Sequence, residues 1–104
     1  MSKATIEINA QGSTTTAEEL LEHIDFSGIQ EVSIQKLTYH DGGPADVTYE
    51  FKNFTITVHE GFGVGYYGTG PTGLVNHLEK IGFSKETAER VFTYHGQDPL
   101  VLKP

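Results

Sequence analysis

Val47-Thr48-Tyr49-Glu50-Phe51-Lys52-Asn53-Phe54-Thr55-Ile56-Thr57-Val58 is the stretch whose reading decides the fold. Val47, Tyr49 and Phe51 alternate with other residues, the period of a strand with one buried face. The apolar parity then jumps to Phe54, Ile56 and Val58. A two-residue turn at Lys52-Asn53 accounts for the jump, pairing Phe51 with Phe54 and Tyr49 with Ile56. A single longer hairpin would instead set Tyr39 against Tyr49, Leu37 against Phe51, Ile34 against Phe54 and Val32 against Ile56. The tight turn is preferred because each strand then has an ordinary length of roughly six residues.

Upstream, Val32 and Ile34 share one parity and Leu37 and Tyr39 the other, which predicts a strand with a bulge near Gln35-Lys36. His40-Asp41-Gly42-Gly43-Pro44-Ala45-Asp46 reads as a loop. At the start of the chain, Ala4, Ile6 and Ile8 alternate with Thr5, Glu7 and Asn9 as a half-buried strand. Gln11-Gly12-Ser13 breaks it. Ala17, Leu20, Leu21 and Ile24 then give the apolar stripe of a helix over 15–24, opened by Thr15 with Glu18 or Thr16 with Glu19 as a capping box and closed by Asp25 to Gly28.

Downstream, Gly61 to Gly73 is dense in glycine, and Pro71 is expected as the first residue of a second helix. Leu74, Val75, Leu78 and Ile81 form its stripe, Gly82 its C′ residue, and Phe83 folds back on its last turn. Ser84 caps a third helix with Ala88, Val91, Phe92 and His95 turned inward. Leu100-Val101-Leu102 offers a short edge strand. The reading is a single α+β domain over residues 1–104, order β-α-β-β-β-α-α. Its sheet is mainly antiparallel, of about four strands, with the C-terminal αα-hairpin packed on one face and the first helix crossing over between the first two strands. Leu20, Ile56, Leu78 and Phe92 are expected in one core.

The chain has 104 residues, with 14 acidic against 7 basic side chains and a formal charge of -7. Such a field repels phosphate backbones and anionic membranes, and its plainest use is to keep a small domain dispersed in water. A mimic of DNA would pack its acids together, whereas these are scattered. There is no cysteine, so disulfides and thiolate metal sites are excluded and the core must hold the fold. No signal-like or membrane-spanning apolar run occurs, and the expected location is the cytoplasm.

Gly63, Gly65 and Gly68 spell a G-x-G-x-x-G between a strand and a helix. The dinucleotide fingerprint also requires a second strand bearing an acid about 20 residues on, and here two helices follow. The glycines have a structural reading, close strand–helix approach or turns at positive φ, and a ligand reading. In the ligand reading Gly63, Gly65, Tyr66, Tyr67, Gly68, Thr69, Gly70 and Thr72 are the binding residues, and the helix start near Pro71 takes a small anion. No Lys or Arg lies between Lys52 and Lys80 to support one. His59, Glu60 and His77 are the candidates for a metal or acid–base site, on condition that they converge. No serine sits in a nucleophile elbow.

The run Leu78-Glu79-Lys80-Ile81-Gly82-Phe83-Ser84-Lys85-Glu86-Thr87-Ala88-Glu89-Arg90-Val91-Phe92 resembles the helix-turn-helix of bacterial repressors. It is similar also to the first helix and Gly-Phe loop of ubiquitin-associated domains. Both resemblances rest on helix, glycine cap, apolar closure and serine cap, which any tight αα-hairpin shares. The first implies a DNA-binding regulator acting through 74–95, although Glu86 and Glu89 would face phosphates unfavourably with only Lys85 and Arg90 to offset them.

The function expected from these features is a non-catalytic protein-interaction module, self-associating as a homodimer or binding a protein partner. Small-ligand binding by 61–73 and DNA binding by 74–95 are the alternatives. No cofactor, enzyme activity, nucleic-acid partner or membrane contact is expected.

Overall fold

The computed structural model describes residues 4–38 and 42–104. Tyr39, His40 and Asp41, assigned above to strand and loop, lie outside them. Five strands and three helices follow one another as β1 (Ala4–Asn9), α1 (Thr14–Leu21), β2 (Glu31–Lys36), β3 (Gly43–Glu50), β4 (Phe54–Val64), α2 (Thr69–Lys80), α3 (Lys85–Thr93) and β5 (Leu100–Leu102). They build a mixed sheet in the order β1-β4-β3-β2-β5. The α+β class holds, whereas the four-strand antiparallel sheet does not. β1 runs parallel to β4, with Ile6 beside Ile56 and Ile8 beside Val58, and β5 pairs antiparallel with β2 at the far edge.

The tight turn forms as the parity jump requires. Tyr49 pairs with Ile56, and Phe51 N–H donates to Phe54 O at 2.9 Å. The Phe51 and Phe54 rings stack with centroids 4.4 Å apart. The longer hairpin is excluded, since Val32 pairs with Tyr49 and Ile34 with Val47.

One parity of the strands is buried beneath all three helices: Val32 and Ile34, Ala45, Val47 and Tyr49, Ile56 and Val58. Ala17 and Leu21 of α1, Leu74, Val75 and Leu78 of α2, and Ala88 and Val91 of α3 complete that core. The other parity forms an open polar face. There, Thr48 and Thr57 hydroxyls lie 3.0 Å apart, and Thr55 donates to Thr5 at 3.3 Å. These are cross-strand pairs of the kind that stabilise a solvated sheet face.

Several local expectations are corrected. No bulge occurs at Gln35-Lys36. Lys36 takes the inward position after Val32 and Ile34, and its Nζ donates to His95 O at 3.0 Å. Its stem is buried as an apolar chain would be, with the charge satisfied by a carbonyl. The bulge lies in β4, where Asp46 alone faces the three residues His59 to Gly61. The expected loop 40–46 is strand from Gly43 onward.

The α1 cap is Ser13, whose side chain accepts from Thr16 N–H at 3.1 Å, rather than Thr15 or Thr16. Leu20 is 43% exposed because α1 turns only the Ala17–Leu21 side onto β4 and α2. Gly61 lets α1 come that close, since a Cβ there would stand 2.6 Å from Ala17 Cβ. α2 starts at Thr69, so Pro71 is its third residue, a position whose missing N–H is still outside the helical ladder. Its end is as expected: Gly82 has φ +112°, and Phe83 N–H reaches Leu78 O at 2.9 Å. Ser84 caps α3, accepting from Thr87 N–H. His95 lies past the end of α3 and is exposed rather than inward, while Phe92 is partly buried against the core.

Candidate functional site

The β4 bulge sets the geometry of the most elaborate polar cluster. Glu60 adopts φ +56°, an uncommon conformation for a residue with a side chain. Its N–H donates to Asp46 Oδ1 at 3.2 Å. The same carboxylate meets His59 Nδ1 at 3.0 Å through Oδ2, while His59 Nε2 lies 3.1 Å from Glu7 Oε1. One imidazole thus bridges carboxylates from β1 and β3 across β4, on the open face. The hydrogen bond to Asp46, and then that to Glu7, hold the His59 pKa above its usual value.

His77 lies on the covered face, inside the core. Its Nδ1 is 2.9 Å from the Tyr49 hydroxyl. Phe26 sets its ring edge-on to both, with centroids 5.0 Å from Tyr49 and 4.8 Å from His77. Burial disfavours the imidazolium and pushes the His77 pKa down to about 4, so the ring is neutral at pH 7 and shares a hydrogen bond with the tyrosine hydroxyl. Burial raises the Tyr49 pKa. A groove of about 290 Å³ between the end of α1 and the end of α2 reaches the His77 ring.

His59, Glu60 and His77 therefore do not converge. The sheet separates the two histidines, and each is already satisfied by other partners. Among the described residues, no group of three or more His, Asp or Glu side chains could hold a metal ion.

The glycine-rich segment divides. Gly63 is buried within β4. Gly65 has φ +79°, and its N–H donates to Val91 O at 2.8 Å, joining this turn to α3. Tyr67 points away, 77% exposed and stacked on Phe92 with centroids 4.7 Å apart. Gly68 is the α2 N-cap and supplies no side-chain cap, while Thr72 donates back to Gly68 O.

Only Tyr66, Thr69 and Gly70 of the eight expected binding residues reach a cleft of about 720 Å³. Its other walls lie outside those eight residues, although Gly61 and Phe62 fall within the expected loop 61–73. Gln11, Gly12 and Thr14 come from the approach to α1, Pro44 from β3, and Gly61 and Phe62 from β4 beside Glu60. The Gln11-Gly12 turn was legible as a break but carried no sign of what it would face. Both described non-glycine residues at positive φ, Gln11 at +54° and Glu60 at +56°, stand on this cleft.

Compared with known protein families, with curated proteins and with solved structures, the chain finds no match in any of the three.

Proposed function

We propose that this chain is a non-catalytic protein-interaction module that pairs with a second copy of itself through the free edge of β1. The observation that supports this reading is the contrast between the two edges of the sheet. β5 is three residues long and is followed by Lys103 and Pro104, features that discourage strand addition. β1 offers six residues without proline or lysine, and all but Ile8 are exposed. Ile6 is 49% exposed because the helices cover β4 but leave the edge strand uncapped.

Register favours self-pairing. In an antiparallel pair centred on Ile6, each Ile6 faces its symmetry mate, Ala4 faces Ile8, and Thr5 faces Glu7. The apolar positions meet on the helix side and the polar ones on the open side, as a two-fold interface requires. Centring on Glu7 would set two carboxylates directly opposite, which is unfavourable.

The test is sedimentation velocity over a concentration series, with Ile6→Lys as the variant. The reading expects a wild-type dimer and a monomeric variant with unchanged circular dichroism. A wild type that stays monomeric throughout, or a dimer indifferent to Ile6→Lys, overturns it.

A further inference from the structure

We infer that the 720 Å³ cleft is a binding site for a neutral, hydroxyl-rich ring, the chemistry of a pyranose sugar. The inference uses none of the β1 edge and stands or falls separately from it. Tyr66 carries it. The ring rests on a floor of glycine: a Cβ at Gly68 would stand 2.7 Å from its Cε2, and Cβ atoms at Gly63 and Gly70 would stand 2.9 and 3.0 Å from its hydroxyl oxygen. Side chains at those positions would displace the ring. With them absent, Tyr66 is backed by main chain, remains 41% exposed, and forms a wall of the cleft.

Charge then selects the occupant. The first N–H groups of α2, at Thr69 and Gly70, have no intrahelical acceptor, and the helix dipole adds partial positive charge beside the cleft. Glu60 supplies the opposite sign, and among the described residues lining the cleft none is Lys, Arg or His. An anion would meet Glu60 with no cation among those described residues to offset it. A cation would meet the positive end of α2. A neutral polyol suffers neither penalty, since its hydroxyls both accept, as from Thr69 or Gly70 N–H, and donate, as to Glu60. The Gln11 amide and the Thr14 hydroxyl extend the same two-way hydrogen bonding. The apolar face of a pyranose ring matches Tyr66, an aromatic surface with polar groups around it.

The test is a titration of the full chain followed by backbone amide shifts. The probes are maltotriose, cellotriose and chitotriose at millimolar concentration, with inorganic phosphate and tetramethylammonium run alongside. At least one trisaccharide is expected to move the amides of Gly65 to Gly70 together with Gln11 and Gly12. Tyr66→Phe keeps the effect, and Tyr66→Ala weakens binding by about tenfold, equivalent to 1.4 kcal/mol. Gln11→Ala, at an exposed turn, provides a second variant with the same direction should Tyr66→Ala disturb the fold. The inference is overturned if no trisaccharide moves these amides, if phosphate or tetramethylammonium alone moves them, or if the variants bind as the wild type does.

Discussion

The two histidines His59 and His77 occupy opposite faces of one sheet, and their environments pull the same side chain in opposite directions. On the open face, His59 meets two carboxylates, which favour its charged form. On the covered face, His77 meets Tyr49 and Phe26, and the cost of burying charge dominates. The difference shows that polarity on the open face is solvated and adjustable, whereas on the covered face it is part of the packing. A buried tyrosine–histidine hydrogen bond must be complete to be tolerated at all.

The strongest way to break this comparison is to cut into the covered face. Leu78→Ala, at a fully buried position, is expected to cost about 2–5 kcal/mol in urea unfolding. A loss below about 1 kcal/mol would mean that the helix layer is not packed as described.

Acid provides the next test. His77 is depressed to about 4, so between pH 6.5 and 4 the unfolded chain binds a proton that the native chain refuses. Its contribution is fully present above pH 6.5 and is lost as pH falls towards 4. The loss is on the order of 3 kcal/mol. His77→Gln should flatten that part of the pH–stability curve measured by urea melts, and an unchanged slope would show that the ring is not shielded.

His59 should show the reverse sign. Its raised pKa gives stability that is present below pH 6.5 and lost as pH rises through the folded-state value. Proton NMR titration should place His59 above the ordinary histidine value, and Asp46→Asn should bring it down. A His59 that titrates normally, or ignores Asp46→Asn, would remove the bridge between β1 and β3. The smallest effect belongs to the threonine pair. Thr57→Ala should cost about 0.2–1 kcal/mol by thermal melting, well below Leu78→Ala.

Local pattern carried the hairpin 47–58 and the αα-hairpin, because parity, a glycine cap and a serine cap are properties of adjacent residues. It failed where the deciding contact is distant. Lys36 faces inward because His95 O waits for it, which no period reveals. Leu20 matched the helical stripe, but only the placement of α1 over β4 decides which part of a stripe is covered. The parallel pairing of Ala4–Asn9 with Phe54–His59 left no local trace. The cleft shows the same limit. Tyr66, Thr69 and Gly70 stood out within a glycine-rich run, while Gln11, Thr14 and Pro44 reach it only through the folded topology.

That parallel pairing also fixes an order of events during synthesis. β2, β3 and β4 are consecutive antiparallel strands and can zip together as each leaves the ribosome. β1 leaves first, yet its partner β4 ends 55 residues later at Val64. Until then, the apolar–polar segment Ala4–Asn9 lacks its native partner strand. Contacts of such sequence separation close slowly, and exposed strand edges in the interval invite association between nascent chains. Moving Ala4–Asn9 to follow Leu102 by circular permutation would let the strand emerge after its partner, and should raise the fraction of chain recovered in native form from cell-free translation.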